Sequence, residues 1–331
     1  MTTVWLGRGV SNNVALIEAL SQKGCSVVLS HNAERWAGQQ HAPSFREPDC
    51  SGVEYVQWCA DMVKTYGFDY FMPGRCLGDF ATANEDLKRK LVMGCAPERS
   101  NDLDDKALFY QQCQDAQLTC AADFAVFSDL NSFQSGMKRL NKQGHERLCF
   151  KPRKGVFGQG FRALTNASPL DTIVYGSSLA LRASDFERWL AEASSPMADM
   201  ILMPLFDGKE ISVDGAFDGT HYRMVARVKN GTAGQRVVTT PEIYQIAENI
   251  ARVFELRGIF NIQLMYHNNQ PMVLEVNPRA AGGFGISCLA DVDLFVAEVL
   301  SAPHQPAQGV IVPQREMDIV SHTHYAERRA D

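Results

Sequence analysis

The chain has 331 residues, 45% of them hydrophobic and 21% charged, with a net charge of −6. That length holds two or three domains of about 100–200 residues each, and the acidic balance argues against a nucleic-acid binder working through a general basic field. No segment approaches the roughly 18 apolar residues of a membrane span, and the N-terminus runs into a strand pattern, VWLG, without a signal-type stretch. The expectation is a soluble cytoplasmic enzyme.

The first hundred residues alternate short apolar strands with helical patterns. TTVWLG reads as a strand, NNVALIEALSQKG as a helix closed by Gly24, and CSVVLS as a second strand. YVQWCADMVKTYG is a helix, FDYFMPG a strand and ATANEDLKRKLVMG another helix. Such alternation implies parallel βαβ units in an open sheet. Between the first strand and helix, GRGVSNN is a dinucleotide fingerprint without its third glycine, and no acidic residue closes VVLSHN to hold a ribose. A tight turn capped by Ser11 or Asn12 is the better account than NAD or FAD binding. The nine cysteines contain no C-x-x-C pair, and several sit within apolar runs, as small hydrophobes in a reduced protein do.

From residue 101 the texture changes. DLDDKALFYQQCQ is a capped helix, and RLCFKPRKGVFGQGFRAL is a strand, a glycine loop and a strand. In the loop, Lys151 precedes Gly155, Gly158 and Gly160, whereas a G-x-x-x-x-G-K-[ST] phosphate loop has its lysine last. Positive charge beside freely bending, close-approaching backbone suits an anion, and phosphate is the candidate. The strand MILMPLF follows, then the hairpin KEISVDGAFDGTHYRMVARVKNG, the helix PEIYQIAENIARVFEL and a second hairpin, IFNIQLMYHNNQPMVLEVNPR. Residues 302–331 are polar and read as a surface tail.

A turn in the second hairpin centred near Asn269 sets Gln263 across from Glu275, with Asn277 on the same face and Met265 and Val273 as flanks. This cluster fits the wet face of an antiparallel sheet. On these residues alone that is the plainer reading; the other is a magnesium site, since Mg²⁺ takes one or two carboxylates plus substrate phosphates. The Pro278–Arg279 turn and AGGFG that follow favour the second reading.

The order DK, FKP, glycine loop, MPLF hinge, KEISVD, N-x-Q and E-x-N-P-R resembles the ATP-grasp superfamily, especially its carboxylate–amine ligase and carbamoyl-phosphate-synthetase-like branch. The likeness covers all but the last thirty residues. It implies an α/β and α+β fold: a Rossmann-like domain (1–100), then a two-lobed ATP-grasp unit. The small lobe with the lid would be 101–202, and the large lobe with the metal site and tail 203–331.

The resemblance also implies roles. Lys106 and Lys151 match the two nucleotide lysines, and Gly155, Gly158 and Gly160 the lid over the phosphates, with Arg153 and Lys154 at its solvated edge. Main-chain atoms of Met203 and Leu205 match the adenine hinge; Ile201 and Leu202 stand where many relatives carry a charged or amide residue. Glu210 matches the ribose acid, and Arg227 the basic residue facing the γ-phosphate. Gln263, Glu275 and Asn277 match the metal ligands, and Arg279 a phosphate or substrate clamp. Glutamine at 263, where the family often has glutamate, implies weaker binding at one metal position. GRGVSNN, the turn with Arg75 and AAGGFG would shape the acceptor site.

The implied cofactors are ATP and Mg²⁺, with Mn²⁺ as an alternative, and the implied partners are a small carboxylate and an amine. Nucleic acid and membrane are not expected; a homodimer is left open because dimers are common in relatives. The implied activity is ADP-forming carboxylate–amine ligation through an acyl phosphate. A small-molecule kinase, an acid–thiol ligase and a non-catalytic nucleotide-binding module remain open beside it.

Overall fold

The computed structural model describes all residues except 156–157, 175–178, 231–233, 303–304 and 321–331. Its first sheet holds β1 (Thr3–Leu6), β2 (Ser26–His31), β3 (Ser44–Arg46) and β4 (Tyr70–Met72) in the order β3-β2-β1-β4. All its pairings are parallel, as the alternating pattern requires. Helices α1 (Val14–Gln22) and α2 (Gly52–Tyr66) connect these strands. GRGVSNN is a tight turn, with Ser11 N–H donating to Gly7 O at 3.0 Å. The cap of α1 is neither Ser11 nor Asn12 but Asn13, whose side chain accepts from Leu16 N–H at 3.2 Å.

The helix expected over ATANEDLKRKLVMG shrinks to one turn, α3 (Glu85–Lys88). The next residues are captured by the sheet: Phe71 N–H donates to Lys90 O at 2.7 Å and Val92 N–H to Phe71 O at 2.8 Å. Ladder bonds there outcompete the helix propensity of KRKLVM. Two helices follow, α4 (Pro97–Asp104) and α5 (Lys106–Asp115).

The second sheet contains β5 (Ala125–Phe127), β6 (Leu148–Pro152), β7 (Arg162–Thr165), β8 (Ala180–Arg182) and β9 (Met200–Pro204), in the order β5-β9-β6-β7-β8. The lobe boundary expected at 202/203 thus falls inside β9. The third sheet has seven strands: β10 (Glu210–Phe217), β11 (His221–Lys229), β12 (Gln235–Val238), β13 (Ile259–His267), β14 (Gln270–Asn277), β15 (Gly309–Ile311) and β16 (Met317–Ile319). The last two correct the expected tail, because β15 pairs with β11 and β16 with β12. Residues 303–304 and 321–331 of that tail lie outside the described residues.

One face of this sheet carries Ile211, Val213, Ile262 and Leu264 into a core shared with the 241–253 helix and with Phe109 and Tyr110 of α5. The opposite face buries Ala216, Val225, Val237 and Ile259 against Val4, Leu6 and Leu29 of the first sheet. That second face is the one on which the polar residues of interest lie. Among the described residues no helix is long and apolar enough to cross a membrane.

Candidate active site

The second hairpin reaches its expected pairing by an unexpected route. Asn268 and Asn269 both have positive φ, 50° and 64°, which suits a two-residue primed turn. The turn is therefore centred between them and pairs His267 with Gln270 and Leu264 with Val273. A bulge at Leu274 then shifts the register by one, so Gln263 does face Glu275 and Asn261 faces Asn277. The same bulge moves Val273 away from the Gln263 face and into the apolar core, where it is fully buried; its expected place as a flank is corrected accordingly.

These oxygen-bearing side chains form one wall of a cavity of about 490 Å³ that also contains Lys106, Lys151, Glu210 and Arg279. Gly155 and Gly158 line it from the glycine loop, and Met203 and Leu205 from the end of β9. Residues 156–157 of the loop lie outside the described residues. Of the residues matched to nucleotide, metal or clamp roles, Gly160 and Arg227 are absent from the lining, as are Arg75, Arg153 and Lys154. Gly160 has φ 72° and turns over Pro152: a Cβ there would come within 2.8 Å of the proline ring.

Arg227 is 1% exposed. It forms an ion pair with Asp214 at 2.6 Å and donates to Ser287 Oγ at 2.6 Å, to Ser212 Oγ at 3.2 Å and to the Gln235 amide oxygen. The alternating strand does put it in register with Ser212, Gln263 and Glu275. Two strands away from the metal-type residues, however, its guanidinium is fully engaged within the protein. The expected γ-phosphate role is corrected on that ground.

Lys106 and Lys151 both have protein partners. Lys106, the first residue of α5, donates from Nζ to the Gly155 carbonyl at 2.8 Å. Lys151 donates to the Tyr110 hydroxyl at 2.9 Å. Burial lowers the pKa of each, and the nearby Lys151 charge lowers that of Lys106 further while Glu275 opposes the shift. Arg279 is likewise pushed down by burial and held up by Glu275. The lining carries Lys106, Lys151, Lys229 and Arg279 against Asp104, Glu210 and Glu275, a small cationic excess that a polyanion with bound cation would suit.

Three contributors were not legible in the sequence. Lys229 forms an ion pair with Glu210 at the rim. Tyr110 sits beneath Lys151. Arg153, expected at the solvated edge, instead places Nε between the two oxygens of Asp105, at 2.8 and 3.0 Å, and Nη1 at 3.0 Å from Asp199. At the end of β9, Leu205 N–H already donates to Arg147 O at 2.8 Å. Asn13 Nδ2 donates to Ala281 O at 3.0 Å, joining GRGVSNN to the AAGGFG loop beside the Arg279 end of the cavity. Arg75 stands exposed in the turn after β4.

Gln263, Glu275 and Asn277 supply one carboxylate and two amide oxygens, and Asn277 Nδ2 donates to Glu275 Oε1 at 3.2 Å. This hard, oxygen-only set fits Mg²⁺ completed by phosphate oxygens. Among the described residues no group of three His, Cys, Asp or Glu side chains is placed to hold a metal ion, so a cation here would depend on the amide oxygens and on ligand phosphates.

Residues 196–325 match the model of the family described as ATP-grasp in the biosynthetic pathway with Ter operon. Among solved structures, an L-amino acid ligase from Bacillus licheniformis superposes with a TM-score of 0.63 at 14% identity, over 88% of this chain and 71% of that one. N5-carboxyaminoimidazole synthetase from Staphylococcus aureus gives a TM-score of 0.67 at 14% identity, over 95% and 80%. The biotin carboxylase domain of a 2-oxoglutarate carboxylase from Hydrogenobacter thermophilus, a dimer in complex with MgADP, ADP and bicarbonate, gives 0.61 at 13% identity, over 90% and 68%. The chain therefore shares the fold of these solved structures, and its residues 196–325 match an ATP-grasp family model.

Proposed function

We propose that the protein is an ATP-dependent, ADP-forming ligase that activates a small carboxylate as an acyl phosphate and joins it to an amine. The observation that carries this reading is the cavity itself. Lys106 and Lys151 enter it from α5 and β6, and Gln263, Glu275 and Asn277 face it from the seven-stranded sheet. The activities of the superposed ligases support the same reading.

In this account the adenine lies against Met203 and Leu205, and Glu210 takes the ribose. Lys106 and Lys151 hold the phosphates, and Gly155, Gly158 and Gly160 close over them. Gln263, Glu275 and Asn277 hold Mg²⁺, for which Mn²⁺ would substitute; the metal neutralises charge on the phosphates and orients them. A carboxylate oxygen of the acid, steered by Arg279, attacks the γ-phosphorus, and the bond to the β,γ-bridging oxygen breaks to release ADP. The amine nitrogen then attacks the acyl carbon, the C–O bond to phosphate breaks, and nitrogen loses a proton. Inorganic phosphate and an amide remain. Positioning and fixed charge supply most of what such a phosphoryl transfer needs.

The 1–100 unit and two lobes, divided at the end of β9 (Met200–Pro204) rather than at 202/203, would open and close about this cavity, with the acid and amine entering beside Arg75 and the 280–285 loop. Cytoplasmic residence and a homodimer complete the proposal. The test is ADP release from ATP and Mg²⁺ in the presence of a panel of amino acids, bicarbonate and simple amines. Release should require one acid and one amine together, and Glu275→Ala should abolish it while leaving the fold intact. Unchanged turnover in Glu275→Ala would sink the metal assignment.

A further inference from the structure

Tyr110 lies four residues after Lys106 on α5 and is fully buried. A phenol in such a place is costly unless its hydroxyl is bonded. Here the hydroxyl is well bonded: it accepts from Lys151 Nζ at 2.9 Å and donates to the main-chain carbonyl of Leu274 at 2.8 Å, with Met203 Sδ as a more distant acceptor at 3.7 Å. Leu274 is the bulge residue that the β13–β14 register skips, so its carbonyl finds a side-chain donor where a regular ladder would supply an N–H. The Lys151 ammonium also stands 5.3 Å from the centre of the Tyr110 ring. One side chain therefore links α5, the lysine of β6 and the strand that presents Glu275, the next residue after Leu274.

We propose that Tyr110 is a positioning residue that aims Lys151 at the nucleotide phosphates by anchoring it to the bulge of β14. The assignment rests on the ATP-site reading above. A lysine held by one buried hydroxyl has few alternative rotamers, so phosphate finds it already in place. Without that hydroxyl, Lys151 loses its hydrogen-bond acceptor and the Leu274 carbonyl loses its donor. A tyrosine that merely fills the core would make no difference to Lys151 beyond stability.

The experiment is a double-mutant cycle read by calorimetric binding of the ATP analogue AMP-PNP with Mg²⁺. It uses the full chain, Tyr110→Phe, Lys151→Met and the double variant, with circular dichroism to establish that each is folded. Tyr110→Phe should weaken binding about tenfold, the scale of one hydrogen bond to a charged group. In the Lys151→Met background the same change should alter binding less than about twofold, because its effect runs through that lysine. Equal losses in both backgrounds, or no loss in either, would overturn the proposal while leaving the ATP site standing. No binding by the unaltered protein would overturn both. Should Tyr110→Phe not fold, 4-fluorophenylalanine at position 110 fills the hydroxyl's space without its hydrogen-bonding oxygen; unchanged binding there would likewise overturn the assignment.

Discussion

The root of the glycine loop is held by Asp105, and its replacement gives a sharp test of how the nucleotide end of the cavity is built. Asp105 is 4% exposed. It caps α5 by accepting from Ala107 N–H at 3.1 Å and Leu108 N–H at 3.3 Å, and it receives Arg153 Nε on the same carboxylate. An aspartate cap is worth about 1 kcal/mol, and a hydrogen bond to a charged group about 1.5–3 kcal/mol. Arg153 keeps 30% of its side chain exposed, so solvent screening puts the ionic part near the lower end, about 1.5 kcal/mol. Asp105→Asn keeps the cap and loses only that part, whereas Asp105→Ala should cost about 2.5 kcal/mol in all. Burial alone would raise the Asp105 pKa, but bonds from Arg153, Leu108 and Ala107 outweigh it and hold the carboxyl below its ordinary value. The group therefore stabilises the fold above the unfolded aspartate value of about 3.9, and its contribution fades as pH falls through the lower folded value. Urea unfolding of the three proteins at pH 7 and in acid is the assay. The wild type should lead Asp105→Asn at pH 7, and the gap should narrow in acid. Two variants as stable as wild type at pH 7, or a gap that widens in acid, would refute the reasoning. Because Lys106 N–H donates to Arg153 O at 3.1 Å, Asp105→Ala should also raise the KM for ATP.

Other outcomes follow from the same geometry. Arg227→Leu strands a fully buried Asp214 and should cost about 3–5 kcal/mol, with Arg227→Leu/Asp214→Leu recovering part of it in denaturant unfolding. A stable Arg227→Leu protein that had lost only turnover would return Arg227 to the catalytic machinery. Gly74→Ala would bring a methyl within 2.5 Å of Val10 N and 2.7 Å of Arg8 O, and should lower stability by about 1–3 kcal/mol through overpacking. Gly282→Ala, with nothing within 4 Å of its added carbon, should not; equal melting temperatures for the two would contradict the close-packed loop pair.

What the sequence carried was periodicity and type. Parallel strands 3–6 and 26–31 follow from apolar runs separated by a capped helix, and the Gln263–Glu275 pairing follows from period-two alternation. That pairing is legible even though the turn is tighter than one centred on Asn269, because the turn and the bulge shift the register by offsetting amounts. Hidden from the sequence was everything that depends on which charges meet. Arg227 reads as a phosphate-facing residue and Arg153 as a solvated one, yet the first is buried on Asp214 and the second bridges Asp105 and Asp199, partners that lie 13, 48 and 46 positions away along the chain. Tyr110 carried no signal, since a tyrosine in an apolar helix face reads as core. The short helix 85–88 and the strands 309–311 and 317–319 depend on neighbouring strand edges being free to bond, which local propensity does not encode.

The central claim, that a carboxylate is activated by the γ-phosphoryl group of ATP, is tested most directly with an acid labelled in its carboxylate with ¹⁸O, chosen from whichever acid supports ADP release. Mass spectrometry of the inorganic phosphate should find one carboxylate ¹⁸O in each molecule, with ADP as the other nucleotide product. Label retained wholly in the amide and in unreacted acid, or AMP and pyrophosphate as products, would contradict the account.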